Sequence, residues 1–240
     1  MLNYHPTIEM LTDYAAGSLP LTFSLAVATH LEQCSECQQQ VRKLELLGAN
    51  LFTKEAPNKH ATAELKQTFF EKLNAEEDAV TGIQDKVDIE TPIQEQTNKP
   101  AVQLDAYQIP ASLRQFVSSN YDELNWMRLS PAVKIATLCE EDGVQVALTR
   151  IKAGSHIPTH THAGEEITLV LEGAFSDEKG IYSCGDFVTR NAKHKHKPRV
   201  TKDSECICLT VLDAPIEFTG WLTRFLNPIM RRHHPSTERG

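Results

Sequence analysis

The sequence has no run of apolar residues long enough to span a bilayer, which takes roughly 20 such residues. Its N-terminal stretch also lacks the basic region and apolar run of a signal peptide. From both absences we expect a cytoplasmic protein with no membrane segment. The formal net charge is −8, which argues against a broad nucleic-acid-binding surface, because such a surface needs clustered Lys and Arg.

Residues 76–105 contain no aromatic side chain and hold eight acidic residues against two lysines. Such a segment cannot bury enough apolar surface to offset the entropy that it would lose on ordering. We therefore predict that residues 76–105 form a flexible acidic linker between two domains.

The 1–75 region has the spacing of short helices. Pro6 and Gly17 bracket the first predicted helix, Pro20 opens the second, and Gly48 follows the third. A fourth predicted helix places three apolar side chains on one stripe, namely Leu65, Phe69 and Leu73. Residues 1–75 are therefore expected to be all-α.

The 106–220 region has the pattern of a β domain. Short runs rich in Val, Ile, Leu and Thr occupy 144–151, 167–175 and 205–212, with turn residues between them. Several strands of this length indicate a β-sandwich or small barrel. Residues 221–240 begin apolar and end basic, so they are expected to form a short capping tail.

The helical region carries one set of possible metal ligands. The whole chain has six cysteines, and in a reducing compartment they are expected to be ligands or free thiols. His30 and Cys34 are four residues apart and project from one helix face, and Cys37 follows after two residues. With His5 they make two nitrogens and two sulfurs, a tetrahedral set suited to zinc. Such an ion would tie the short helices together, because they have little core of their own.

The β region carries a second, chemically different set. His160, His162 and Glu166 share strand parity and would point to one side of an extended stretch. His196 must come from another strand, and His194 competes with it as the fourth ligand. Three imidazoles and a carboxylate suit several divalent metals, with Zn²⁺ expected first and Fe, Mn or Ni as alternatives.

The first set resembles the zinc-binding anti-sigma domains of bacterial regulators, in the order His5, then His30-x-x-x-Cys34-x-x-Cys37. In that family a small helical domain wraps an extracytoplasmic-function (group IV) sigma factor and blocks its access to RNA polymerase. The resemblance covers roughly residues 1–75. It implies a sigma factor as the partner and a structural Zn²⁺ at these four residues.

The second set resembles the two cupin motifs, Gly154-x5-His160-x-His162-x3-Glu166-x6-Gly173 and Gly185-x10-His196. The stretch from His160 to Phe187 is especially similar to the cupin domain of ChrR-type anti-sigma factors. This resemblance implies an α + β two-domain fold, with a helical zinc-binding domain followed by a β-barrel cupin of double-stranded β-helix type. It also implies that the cupin senses singlet oxygen or organic hydroperoxides and that the signal releases the sigma factor.

Cys206 and Cys208 also share parity and would lie on one strand face. If that face is the barrel interior, the two thiols lie near the second metal and could be redox active. The other interpretation is that both are small buried apolar residues. Cys139 and Cys184 belong to no motif and are taken as structural.

These patterns bear on three possible functions. The leading hypothesis is a cytoplasmic, non-enzymatic anti-sigma factor that responds to oxidative stress. The alternative is a cupin metal-dependent dioxygenase with an accessory zinc domain, since three His and one Glu can hold an open metal site. A DNA-binding zinc protein is disfavoured, because residues 1–75 hold eight acidic against six basic residues.

Overall fold

The structure is a computed structural model. It describes residues 2–54, 66–72, 109–118, 120–221 and 223–228, and His234. Residues 1–48 together with 106–240 form one compact unit, and residues 49–105 form a second. The predicted linker 76–105, Leu65 and Leu73 lie outside the described residues, so the predicted domain boundaries at 75/76 and 105/106 stay predictions.

Three α-helices occupy the N-terminal region: α1 (Ile8–Ala15), α2 (Leu21–Leu31) and α3 (Ser35–Lys54). Thr7 caps α1 by accepting a hydrogen bond from the Met10 N–H, and Gly17 ends that turn with a φ of 70°. Pro20 stands at the N-cap of α2, as the sequence predicted.

The prediction that Gly48 ends the third helix is wrong, because α3 continues to Lys54. A glycine inside a helix costs about 1 kcal/mol relative to alanine, which good helix formers around it can outweigh. Residues 66–72 are helical and belong to the predicted fourth helix. None of the helices in the described ranges is long and apolar enough to cross a membrane.

Eleven strands are described between residues 127 and 218. They are β1 (Met127–Arg128), β2 (Val133–Glu141), β3 (Val144–Ile151), β4 (His160–His162), β5 (Glu166–Glu172), β6 (Ala174–Asp177), β7 (Gly180–Ser183), β8 (Phe187–Arg190), β9 (Arg199–Val200), β10 (Cys206–Leu212) and β11 (Ile216–Phe218). All paired strands are antiparallel.

The strands form three sheets, with the orders β1-β2-β3-β10-β5-β8, β7-β6-β9 and β11-β4. Within the described strands the ladders do not close into one continuous barrel, and the predicted order of a helical region followed by an antiparallel cupin-type β domain is confirmed. At Gly173, whose φ is 71°, the chain leaves the large sheet after β5. Strand β6 then begins the smaller sheet.

The helices and the large sheet share one hydrophobic core. Leu11 and Val27 of the helices belong to the same buried cluster as Leu148, Leu169 and Leu209 of the sheet. A second buried cluster lies around Phe175, Tyr182 and the two cysteines of β10. The helical region and the cupin region follow one another along the chain as predicted, and they also pack on each other.

The C-terminal tail is described only in part. Residues Thr223–Leu226 form a 3₁₀ turn next to β11. His234 is buried, and its Nε2 lies 3.2 Å from the carbonyl oxygen of Leu212. The contacts of Thr223–Leu226 with β11 and of His234 with Leu212 place these described parts of the tail against the β region.

Two candidate metal centres

The helical cluster is assembled from three places in the chain. His5 precedes α1, His30 lies in the last turn of α2, Cys34 lies between α2 and α3, and Cys37 lies in the first turn of α3. His5 Nδ1 is 3.4 Å from the sulfur of each cysteine, and His30 Nε2 is 3.4 Å from the Cys37 sulfur. One ligand atom of each residue lies within 4.8 Å of all the others.

A hydrogen bond behind this cluster fixes which nitrogen of His30 faces inward. His30 Nδ1 donates to the Gly185 carbonyl oxygen at 2.8 Å, so Nε2 presents its lone pair to the sulfurs. His5 turns its Nδ1 inward, while its Nε2 lies 3.9 Å from the Glu36 carboxylate. Burial lowers the pKa of His30, which favours the neutral, ligand-competent ring.

The cysteine chemistry of the helical cluster also suits a cation. Burial and the neighbouring Cys34 raise the pKa of Cys37 to about 12. Without a compensating positive charge this sulfur would keep its proton, whereas a bound metal displaces it. Two sulfurs and two neutral imidazoles are a donor set that fits Zn²⁺.

The cupin cluster joins β4, the start of β5 and a loop. His160 and His162 lie on β4, Glu166 is the first residue of β5, and His196 is held beside β4 by two backbone hydrogen bonds to His160, each 3.1 Å. His196 Nε2 is 3.0 Å from His160 Nε2 and 3.1 Å from His162 Nε2. Glu166 Oε2 is 2.9 Å from His162 Nε2. All four residues are buried.

The outer nitrogens of this cluster are already bonded. His160 Nδ1 donates to the Pro158 carbonyl oxygen at 2.9 Å, and His196 Nδ1 donates to Asp177 Oδ2 at 3.3 Å. Both neutral rings therefore point an unprotonated Nε2 inward, and two lone pairs face each other at 3.0 Å. Lone pairs at this distance repel unless a cation lies among them, so the donor set fits a divalent metal.

The protonation states agree with that arrangement. Burial lowers the pKa of His160 to about 4. Burial alone would raise the pKa of Glu166, but the hydrogen bond and charge of His162, with the other two histidines, lower it to about 2. The His160 ring is therefore neutral at neutral pH, and Glu166 is an ionised carboxylate.

His194 does not join the cupin cluster. Its Nδ1 accepts a hydrogen bond from the Asn191 N–H at 3.1 Å, within its own loop. The cluster of four contains His196 instead. The geometry therefore favours His196 over His194 as the fourth ligand.

A cavity of about 300 Å³ opens beside the cupin cluster. Its walls are mostly apolar, with side chains such as Ile135, Ile157 and Phe218, and three cluster residues reach it: His160, Glu166 and His196. A small, largely apolar molecule could therefore come close to a metal held at this cluster.

Cys206 and Cys208 are both buried, and their sulfurs are 3.5 Å apart. Cys208 lines the cavity together with three of the cupin cluster residues. The hydrogen bond with Cys206 and burial raise the pKa of Cys208 well above its usual range, so the unreactive thiol predominates at neutral pH. All six cysteines of the chain are free thiols, and Cys139 and Cys184 lie in neither cluster.

Comparison with known proteins decides the family. The chain is 31% identical over 230 residues to the anti-sigma-E factor ChrR of Cereibacter sphaeroides, covering 96% of this chain and 99% of that protein. The chain belongs to the ChrR family of anti-sigma factors. Residues 114–214 also match the ChrR cupin-like domain family.

One solved structure agrees with membership of the ChrR family. The crystal structure of Rhodobacter sphaeroides SigE in complex with the anti-sigma ChrR matches with a TM-score of 0.69 and 29% identity, covering 88% of this chain and 99% of that one. An RmlC-like cupin from Ralstonia eutropha JMP134 matches with a TM-score of 0.39 and 18% identity, over 43% of this chain and 71% of that one.

In this member of the ChrR family, sequence reasoning missed the groups that accept hydrogen bonds from the outer ring nitrogens of the cluster histidines. Asp177 orients His196, and burial alone would raise the pKa of its carboxyl. Hydrogen bonds from Arg190, the Lys179 N–H and Tyr182 lower that pKa to about 2, so the group is charged. Asp177 belongs to no motif, and the carbonyls that hold His30 and His160 leave no mark in a sequence.

Proposed function

We propose that the protein is an anti-sigma factor that binds and inhibits an extracytoplasmic-function (group IV) sigma factor and releases it under oxidative stress. One observation carries the proposal: the relationship to an anti-sigma factor extends over 96% of the chain and therefore includes both regions. A matching solved structure is itself a complex of such a protein with a sigma factor. The sigma factor acts on RNA polymerase, so the proposal places the protein in the cytoplasm.

The helical region is proposed to hold the sigma factor and to depend on zinc. His5, His30, Cys34 and Cys37 would bind Zn²⁺ as a structural ion. Because such small sites fold together with their metal, the surface that meets the sigma factor would depend on that ion. The contact would be mostly helix-in-groove binding through exposed apolar side chains.

The cupin region is proposed to receive the signal. His160, His162, Glu166 and His196 would hold a divalent metal, with Zn²⁺ expected first and Fe, Mn or Ni as alternatives. The signal would be singlet oxygen or an organic hydroperoxide, and the apolar cavity beside the cluster supports entry of a small molecule. Cys206 and Cys208 would be available for oxidation once the metal site or cavity is disturbed.

The second candidate is a metal-dependent dioxygenase, favoured by one observation, the cavity that reaches the cupin cluster. Family membership weighs against it, because the chain belongs to a family of anti-sigma factors. The full chain loaded with Fe(II) separates the two. Sustained turnover of an added substrate would support the enzyme, while one oxidative change per chain would support the sensor.

Co-purification tests the proposed function. The full chain and a group IV sigma factor from the same genome are expressed together, and their complex is isolated by size exclusion. We expect a complex with equal amounts of both proteins that is inactive with core RNA polymerase. Separate elution of two folded proteins, with zinc bound to the chain, would rule the proposal out.

A further inference from the structure

The segment that carries His5 is fixed to the cupin region through one buried carboxylate. Asp186 is fully buried, and its Oδ1 accepts from the Tyr4 N–H at 3.2 Å. Its Oδ2 accepts from the N–H and hydroxyl of Ser183 at 2.8 and 3.1 Å. The Phe187 N–H in turn donates to the Tyr4 carbonyl oxygen at 3.0 Å. The residue directly before His5 therefore cannot shift without breaking hydrogen bonds to the turn between β7 and β8.

A second ligand of the helical cluster meets the same turn. The His30 ring donates from Nδ1 to the Gly185 carbonyl oxygen at 2.8 Å and packs edge-on against the Phe187 ring, with centroids 5.7 Å apart. His30 is fully buried. Its inward Nε2 is thus aimed at the cysteines by the backbone of the cupin region.

Residues 174–187, called the connecting hairpin below, run from β6 through β7 to this turn. The end of the hairpin away from the turn meets the cupin cluster. Asp177, at the end of β6, accepts from His196 Nδ1 at 3.3 Å, and its carboxylate is fully buried. The same carboxylate accepts from the Tyr182 hydroxyl and from Arg190, each at 3.0 Å. Arg190 also donates to the Tyr182 hydroxyl at 2.6 Å. If His196 shifted, the buried Asp177 carboxylate would lose a hydrogen-bond donor. Tyr182 and Arg190 would then have to move with that carboxylate to keep their own hydrogen bonds.

Tyr182 joins the two ends. Its ring packs on the Tyr4 ring with centroids 4.6 Å apart, and the residue is almost fully buried. Contacts thus run without a break from His196 through Asp177 and Tyr182 to Tyr4, the residue directly before His5. Interiors packed this tightly pass on displacements because they hold few voids to absorb them.

We propose that the connecting hairpin, residues 174–187, couples the two clusters, so that the state of the cupin cluster changes the metal affinity of the helical cluster. Asp177 and Tyr182 are positioning residues in this scheme. The proposal rests on the metal binding proposed above, and it gives the signal a route through the packed core that does not use residues 76–105. Since linkage is reciprocal, metal at the helical cluster would change the affinity of the cupin cluster by the same factor.

Cobalt(II) tests the coupling in the full chain. Only a cluster with cysteine ligands gives a thiolate-to-cobalt charge-transfer band, so this band reports the helical cluster alone, and total metal content reports both. Four proteins form a cycle: the native chain, Glu166→Gln, Tyr182→Phe, and the double variant. We expect Glu166→Gln to change the cobalt affinity read from the band by about fivefold or more. In the Tyr182→Phe background, Glu166→Gln should change this cobalt affinity little.

Tyr121→Phe is the matched control, because Tyr121 is a buried tyrosine of the same compact unit that lies outside the connecting hairpin. It should leave the response to Glu166→Gln intact. Asp177→Asn replaces Tyr182→Phe if the latter does not fold, and the same loss of response is expected. Equal cobalt affinities in the native and Glu166→Gln chains, while metal content falls by one ion, would overturn the coupling and leave sigma-factor binding untouched. A native chain without the band would overturn the metal proposal as well.

Discussion

At the residue scale, the residues that form the two candidate metal clusters were predictable, and the groups that orient them were not. His5, His30, Cys34 and Cys37 follow a spacing that chemistry requires, and the structure brings their ligand atoms within 4.8 Å of one another. The Gly185 carbonyl that orients His30 comes from 155 residues away. Backbone acceptors leave no residue-type signal, so only the folded chain reveals them.

The helical cluster is tested by replacing its sulfurs. Cys34→Ser combined with Cys37→Ser should remove one metal ion per chain and abolish sigma-factor binding, because metal binding and folding are coupled in such sites. Metal analysis and a pull-down measure the two effects. Cys139→Ser, a cysteine outside both clusters, should change neither. Retained zinc in the double variant would remove the cysteines from the site.

A matched pair of histidines tests the fourth cupin ligand. His196→Ala should lower the metal content of the cupin cluster, since His196 Nε2 points at His160 and His162. His194→Ala should leave metal content unchanged, because His194 lies in its own loop. Metal analysis of both variants decides the assignment. The reverse result would make His194 the ligand.

At the element scale, local pattern predicted the strands well and one helix end poorly. The predicted run 144–151 coincides with β3, and 205–212 differs from β10 by one residue. The end of α3 was misplaced at Gly48, because neighbouring helix formers outweigh a single glycine. The division of the strands into three sheets was not predicted, since it depends on turns such as the one at Gly173, whose geometry residue types only suggest.

That turn is testable at Gly173. Its φ is 71°, and a Cβ there would come within 2.1 Å of the Glu205 carbonyl oxygen. Gly173→Ala should lower the free energy of unfolding by about 2 kcal/mol or more. Gly48→Ala, where a Cβ meets nothing within 4 Å, should raise it by up to about 1 kcal/mol. Denaturant unfolding of the metal-loaded chain measures both, and equal stabilities would contradict the role of Gly173.

The helical segment 66–72 offers a test of the sigma-factor contact. Phe69 and Phe70 are 59% and 50% exposed, so they are available to a partner. Phe69→Ser with Phe70→Ser should weaken sigma-factor binding by about tenfold or more, since aromatic side chains dominate such contacts. Gln67→Ser on the same segment is the control. Unchanged affinity, measured by titration, would move the contact elsewhere.

At the scale of the whole molecule, the sequence predicted two regions in the right order but not their shared core. Leu11 and Val27 pack in one cluster with Leu148 of the sheet. Helix periodicity shows that a face is apolar without showing what covers it. The helical region and the β region, each of which holds one candidate metal cluster, therefore share one packed core.

Release of the sigma factor by an oxidant tests the central claim most directly. The complex of the native chain with a group IV sigma factor is treated with singlet oxygen or an organic hydroperoxide and followed by size exclusion. We predict that the native complex dissociates, while a complex made with His160→Ala and Glu166→Gln forms normally and stays intact. Loss of the sigma factor from the untreated cupin variant, or equal dissociation of both complexes, would contradict the account.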